Sequence, residues 1–170
     1  PAGDDFLART CAAWERAATA AASHGSRVVI TRFGVVLAPD GGALPRQITP
    51  ARLGLAGPMG GGRQWVSWVH IDDVVGLIVH AATSAMEGPV NVTAPEPVRQ
   101  AAFAKALGRA LGRPLQLRVP AIALRLALGE MSMLVLRGQR AVPDAALAGG
   151  YAFAHPDLDE ALADVLGREG

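Results

Sequence analysis

The sequence contains 170 residues, of which 51% are hydrophobic and 18% are charged, and its formal net charge is +1 at pH 7. A chain of this length and composition can bury a substantial core, which excludes an intrinsically disordered protein. The small net charge, with no run of more than two Lys or Arg residues, argues against a nucleic-acid-binding protein.

The cysteine content and the hydropathy of the sequence indicate its cellular compartment. Cys11 is the single cysteine, which excludes an internal disulfide and fits a reducing compartment such as the cytoplasm. No membrane span is expected, since Arg125 interrupts the best apolar stretch at 119–128, and no segment resembles a signal peptide. Pro1 is not an initiator methionine, and a predicted helix follows almost at once, so we expect an N-terminal part of the protein to precede it.

The first predicted elements are a helix and a buried strand. Asp4 or Asp5 can cap a helix that ends at Gly25. Residues 27–33 contain a continuous apolar run flanked by charge, which is typical of a parallel strand covered on both faces.

The segment 63–76 predicts a strand-to-helix junction. Residues 66–69 are rich in β-branched and aromatic side chains, and Asp72 and Asp73 follow where a new helix needs an N-terminal acceptor. Strand ends line the ligand crevice of α/β folds. Alternatively, His70 and the two aspartates only end the strand and cap the helix. We expect this helix to bury an apolar stripe of Val74, Val75, Ile78, Val79 and Ala82.

The rest of the chain alternates between strand and helix patterns. Residues 89–94 predict a second short buried strand, 97–111 a helix, and the strictly alternating 115–119 a half-exposed strand. Residues 120–137 are predicted to be helical with a break at Gly129, and their methionines are expected to fill the core. The last predicted helix begins near Pro156 and has apolar residues at helical spacing: Leu158, Ala161, Leu162 and Val165.

Few residues form a pattern that indicates chemistry. The four histidines are scattered, so no metal site is predicted. The glycines at 60–62 precede a strand instead of a helix, which argues against a phosphate loop. Arg32, Arg46 and Arg63 each lie at a strand end or in a Gly/Pro-rich loop, where a guanidinium can hold a phosphate or carboxylate. A solvated surface position is the alternative for each arginine.

The order of these elements resembles the second half of extended short-chain dehydrogenases/reductases. More closely, the chain is similar to the atypical NAD(P)-dependent "epimerase family" proteins that have a small extra C-terminal domain. The resemblance covers nearly the whole chain and rests on Asp5-Phe6-Leu7 with Trp14-Glu15, and on the segments 27–37, 39–45, 63–68, 69–74, 88–95, 129–131, 138–140 and 155–158.

The resemblance implies an α/β fold: the C-terminal part of a doubly wound, parallel-sheet, Rossmann-type domain at 1–112, followed by a small, mostly helical domain at 113–170. It implies an NADP- or NAD-dependent oxidoreductase or epimerase, similar to sugar-nucleotide epimerases, that acts on an unknown small molecule. The partners implied are that substrate and the missing N-terminal half, where the Gly-rich dinucleotide fingerprint would lie; a homodimer is compatible with it.

The resemblance also assigns site residues. Arg32, Gly34 and Val35 are expected near the nicotinamide end of the cofactor. The residues expected on substrate-facing loops are Arg46, Arg63, Trp65 and His70.

The catalytic residues stay unassigned. Typical members place an acid/base Tyr and a Lys four residues later on one helix face. If Glu15 matches the Glu that often follows that pair, the two positions fall near Leu7 and Cys11, which cannot perform that chemistry. Either the family member uses other groups, or its tyrosine lies upstream in the missing part. The alternative function is a non-catalytic nucleotide-binding or protein-interaction domain that retains the fold.

Overall fold

The computed structural model describes residues 6–54, 57–114 and 117–168, in which strands and helices both occur as far as Arg99 and the named elements after it are helical. The strands are β1 (Val29–Phe33), β2 (Val35–Leu37), β3 (Trp65–Val66), β4 (Trp68–His70), β5 (Gly88–Val92) and β6 (Val98–Arg99). The helices are α1 (Phe6–Ala20), α2 (Leu44–Arg52), α3 (Ile71–Thr83), α4 (Gln100–Ala110), α5 (Ala121–Leu128), α6 (Ser132–Leu136), α7 (Asp144–Ala148) and α8 (Leu158–Gly167), with 3₁₀ turns at Ala21–His24 and Gly129–Met131.

Two parallel ladders and one antiparallel ribbon organise the strands. β1 pairs in parallel with β5, and β2 pairs in parallel with β4. β3 pairs antiparallel with β6, so that Trp65 lies opposite Arg99. Parallel strands need a crossover, which α3 and the other helices supply. The α/β fold with parallel strands that the sequence predicted is therefore confirmed.

Two apolar clusters form the core. The larger one packs β2, β4 and α2 against α4 and α8, with Trp68, Leu37 and Leu162 fully buried at its centre. The smaller one packs α3 and α7 against β4 and β5 through Val69, Leu77 and other residues. None of the described helices is long and apolar enough to cross a membrane.

The first helix ends where the sequence predicted. Gly25 ends the 3₁₀ turn after α1 with a φ of 79°, a conformation that glycine adopts without strain. However, α1 buries none of its residues, and Phe6 and Trp14 are each 71% exposed. The predicted capping residues Asp4 and Asp5 lie outside the described residues.

The predicted strand at 66–69 is two short strands. Ser67 separates β3 from β4, and each pairs with a different partner. Only Val74 of the stripe predicted for α3 is buried; Val75, Ile78, Val79 and Ala82 are exposed. The other buried apolar residues of this helix are Leu77 and Ala81. This helix is apolar around most of its circumference, so spacing alone did not distinguish its buried face.

The C-terminal region differs from its prediction in two places. Met131 and Met133 are 63% and 37% exposed instead of filling the core. Val119 forms only an isolated bridge to Met59, and the first two residues of the predicted strand, 115 and 116, lie outside the described residues. The last helix is confirmed, since α8 buries the four predicted positions.

Candidate functional site

His70, at the end of β4, caps helix α3. Its Nδ1 accepts a hydrogen bond from the backbone N–H of Asp72 at 3.1 Å, so the ring proton lies on Nε2, which donates to Asp164 Oδ2 at 3.1 Å. The histidine is fully buried. The prediction that Asp72 and Asp73 cap the helix is therefore wrong, because both lie in its first turn.

Asp73 anchors the segment that follows α7. Its carboxylate accepts hydrogen bonds from the backbone N–H groups of Ala154 (2.8 Å) and His155 (2.9 Å) and from the hydroxyl of Tyr151 (3.1 Å). Burial, followed by the negative charge of Asp73, raises the pKa of Tyr151 to about 12. The single tyrosine of the sequence is thus a neutral hydrogen-bond donor that holds two parts of the fold together.

Four charged or titratable groups surround the buried histidine. Arg168, directly after α8, binds Asp72 (2.7 Å) and Asp164 (2.8 Å), and the ring of His155 stacks on His70 with centroids 3.8 Å apart. Burial, reinforced by the charge of His155, lowers the pKa of His70. The hydrogen bond from Arg168 lowers the pKa of Asp72.

Two histidines and two aspartates of this group are residue types that bind metal ions, but their hydrogen bonds do not fit metal coordination. One ligand atom from each of His70, Asp72, His155 and Asp164 lies within 4.8 Å of the others. Coordination through Nε2 of His70 would move its proton to Nδ1, directly against the N–H of Asp72. Arg168 already binds both carboxylates. The group is therefore a network of ion pairs that fastens α8 to α3.

A second polar cluster forms around Trp65 on the β3–β6 ribbon. The guanidinium of Arg99 lies 3.7 Å from the centre of its ring, and that of Arg140 lies 5.6 Å away. Arg99 also donates a hydrogen bond to the backbone oxygen of Arg63. The cluster therefore presents cations on an aromatic ring, an arrangement suited to an anionic group.

Arg99 and Arg140 were not among the predicted site residues. No periodic pattern connects positions 65, 99 and 140, because their proximity results from strand pairing and from the path of the loop after α6. The Gly138 backbone packs directly on the Trp65 backbone oxygen, where a side chain would not fit. The glycine of the Gly138-Gln139-Arg140 motif is thus the one sequence signal that this segment packs closely against Trp65.

A cavity of about 170 Å³ lies between α2, α4 and α5. Arg46 and Gln100 line it together with mainly apolar side chains. Gln100 is the first residue of α4 and follows Arg99, the last residue of β6, so two adjacent residues belong to the cavity and to the Trp65 cluster.

The residues predicted near the nicotinamide lie at the join between the two parallel ladders. The backbone N–H of Gly34 donates to Val92 at the end of β5, and that of Val35 donates to Ser67 at 2.7 Å. Arg32 forms a bidentate ion pair with Glu15, both distances being 2.7 Å. This hydrogen bonding lowers the pKa of Glu15 and ties α1 to β1.

The structure thus brings only some of the predicted residues together. Arg99 contacts both the ring of Trp65 and the backbone oxygen of Arg63, and Arg46 lines the neighbouring cavity. His70 lies in the interior with both ring nitrogens engaged, and Arg32 is paired with Glu15. The substrate and cofactor roles of these residues stay predictions.

Two family models match the sequence. One, described as the NAD dependent epimerase/dehydratase family, matches residues 7–93, and one described as a domain of unknown function (DUF1731) matches residues 119–165. The chain is 43% identical over 164 residues to the epimerase family protein YfhF of Bacillus subtilis and 42% identical over 167 residues to the chloroplastic SDR39U1 homolog of Arabidopsis thaliana. These alignments cover 96% and 98% of this chain but 54% and 48% of those proteins. The chain therefore spans about half the length of the curated relatives it matches.

Solved structures share the fold. Human epimerase family protein SDR39U1 (isoform 2), determined with NADPH, superimposes with a TM-score of 0.81 and 37% identity over 84% of this chain and 49% of that one. The nucleoside-diphosphate sugar epimerase from Corynebacterium glutamicum gives a TM-score of 0.77 and 35% identity, covering 98% of this chain and 32% of that one.

Proposed function

Because the chain belongs to the NAD dependent epimerase/dehydratase family, we propose that it forms the substrate side of a nicotinamide-dependent oxidoreductase or epimerase that acts on a small molecule. The observation that carries this proposal is the match to human SDR39U1, since that structure contains NADPH. The chain covers 49% of that protein, so the residues that bind the cofactor phosphates would come from the other half.

In this proposal the join between the ladders faces the nicotinamide. Gly34 and Val35 have their backbone N–H groups fixed in the ladders, so they would contribute shape instead of hydrogen bonds. Arg32 is held by Glu15 and would keep that edge rigid. Hydride transfer is the chemistry of the bound cofactor, and this chain would position the substrate against it.

The Trp65 cluster and the cavity would hold the substrate. Arg99 and Arg140 place positive charge on the ring of Trp65, and the exposed side chain of Arg63, two residues before Trp65, would add a third cation. An anionic group on the substrate would bind there. His70 would act indirectly, because its contacts fix the start of α3.

A non-catalytic binding domain is the second candidate. The helix that would contain the family's Tyr and Lys has Leu7 and Cys11 at the matched positions, and both are exposed. Such a domain would bind nucleotide or a protein partner without turnover.

Titration with NADPH, followed by nicotinamide fluorescence, tests the proposal. The intact protein in this test is a chain of the relatives' full length that contains residues 1–170. We expect saturable binding by the intact protein and negligible binding by residues 1–170 alone. Oxidation of NADPH in the presence of a panel of carbonyl compounds then separates an enzyme from a binding domain. Saturable binding by residues 1–170 alone would overturn the proposed division between the two halves, and the absence of binding by the intact protein would overturn the cofactor assignment.

A further inference from the structure

The cavity between α2, α4 and α5 has walls that are mostly apolar. Its volume of about 170 Å³ is slightly larger than the roughly 150 Å³ of an engineered cavity that binds benzene. A group of five or six carbon atoms would therefore fill it. The apolar lining consists of Pro50, Met59, Ala104, Leu107, Val119 and Leu124.

Gln100 provides a hydrogen-bond donor in this lining. The side chain is only 4% exposed, and its Oε1 accepts the backbone N–H of Met59 at 2.8 Å, which fixes the orientation of the amide. Within residues 6–54, 57–114 and 117–168, the amide nitrogen has no acceptor. Among the described residues no fully buried polar side-chain atom lacks a partner, so this nitrogen has accessible surface, and the acceptor of a ligand can reach it.

Arg46 provides a cation at the mouth. It lines the cavity from α2 but its side chain is exposed, and it forms no ion pair with any residue that the structure describes. Gln47, beside it, has its amide nitrogen engaged with the backbone of Ala43. An anionic group at the entrance would therefore meet a guanidinium that is free to bind it.

From these three features we propose that the cavity binds a short-chain oxo acid. Its carbonyl oxygen accepts from Gln100, its methylene chain lies against the apolar walls, and its carboxylate pairs with Arg46. A sugar is a poor occupant, because it presents a hydroxyl on nearly every carbon and most of this lining offers no partner. The inference rests on the proposed function in taking the cavity as the substrate subsite, but its test requires neither cofactor nor turnover.

Three matched compounds test the proposal by ligand-observed NMR and calorimetry on the intact protein. Levulinate has the chain, the carbonyl and the carboxylate; valerate lacks the carbonyl; and methyl propyl ketone lacks the carboxylate. We expect levulinate to bind about fivefold more tightly than valerate and about tenfold more tightly than the ketone, as expected for one neutral and one charged hydrogen bond.

Two variants assign these differences to residues. Arg46→Ala should weaken levulinate about tenfold and leave the ketone unchanged, whereas Arg113→Ala, which removes an exposed arginine outside the cavity lining, should change neither. Gln100→Glu keeps an acceptor for Met59 and removes the donor, so it should abolish the binding of levulinate. Thermal denaturation of each variant checks that it is folded.

Equal affinities of the wild-type protein for all three compounds would overturn the proposal. So would an equal loss of levulinate and ketone binding in Arg46→Ala. Saturable NADPH binding without any binding of levulinate would refute the oxo-acid assignment alone, because cofactor binding tests the proposed function independently.

Discussion

Gly34 stands where the chain passes from the first parallel ladder to the second. A Cβ atom at this position would collide with the backbone oxygen of Ser67 and lie 3.0 Å from a methyl carbon of Thr93. The Ser67 oxygen accepts a hydrogen bond from the backbone N–H of Val35, so it cannot move without breaking that bond. Glycine is required here by space, and the positive φ that often explains a glycine is absent.

We therefore expect Gly34→Ala to lower the free energy of unfolding by roughly 1–3 kcal/mol, as overpacking does. Gly61→Ala is the matched control, because an added Cβ there has no atom within 4 Å and the backbone is not left-handed. Urea denaturation of both variants measures the difference. Equal stability of the two would show that the ladder join adapts.

The two adjacent aspartates of α3 should differ strongly in their contribution to stability. Asp73 is 1% exposed and satisfies three donors, so Asp73→Ala leaves those donors unpaired and should cost about 3 kcal/mol or more. Asp72 is exposed and bound to Arg168, so Asp72→Ala should cost about 0–1 kcal/mol. Chemical denaturation compares them, and equal costs would contradict the anchoring role of Asp73.

The sequence alone could not show that Asp72 and Asp73 make different contacts. Both were acidic residues at the start of a predicted helix, and a carboxylate cap was the simplest interpretation. The partner of Asp73 lies about eighty residues later in the chain, at His155. The cap itself is a histidine, a residue type with no strong preference for that position.

At the scale of elements, prediction succeeded where a helix has one apolar face. α8 buries Leu158, Ala161, Leu162 and Val165, as its spacing predicted. α3 is apolar on several faces, so the buried one depends on where α7 and β5 pack. The parallel strand at 27–33 and its partner at 89–94 were recognisable from composition, but Ser67 between β3 and β4 gave no sign that the pairing partner changes there.

The contact between α3 and α8 should be sensitive to pH. His70 has a lowered pKa in the folded protein, so the unfolded chain binds more protons as the pH falls through the ordinary histidine value of 6.5. The contribution of neutral His70 to the free energy of unfolding is therefore fully present above pH 6.5 and is lost as the pH falls below 6.5. Asp72 has a lowered pKa, so its contribution is lost only near and below 3.8. His155, Asp164 and Arg168 complete the charged surroundings of the histidine.

We expect the free energy of unfolding to decrease between about pH 7.5 and pH 5, since it is the unfolded chain that takes up the extra proton. His70→Asn keeps a side-chain acceptor for the helix cap but removes the titrating ring, so this decrease should become smaller. His24→Asn, at an exposed position, is the control. Denaturation at a series of pH values measures the slopes, and equal slopes in wild-type and His70→Asn would contradict this explanation.

At the scale of the whole molecule, the described residues leave α1 and one edge of β1 without a covering layer. Helix α1 has no buried residue, and among the described residues β1 pairs along only one edge. The larger core, by contrast, is closed by α4 and α8. Sequence patterns predicted α1 and β1 as elements, but the absence of a covering layer is a property of tertiary packing that local spacing does not encode.

Residues 1–170 in isolation should therefore self-associate. An unpaired strand edge and exposed aromatic side chains favour association, and Phe6 and Trp14 are each 71% exposed. Sedimentation at increasing concentration should show growing oligomers, and Trp14→Gln should shift them towards the monomer. Leu126→Gln is the control, because Leu126 is 83% exposed on α5, away from α1 in the chain.

The remaining half of the relatives' length, added in cis or as a separate chain, should cover α1 and the edge of β1 and restore a discrete soluble species. A strictly monomeric 1–170 at all concentrations would show that α1 and the edge of β1 need no covering layer.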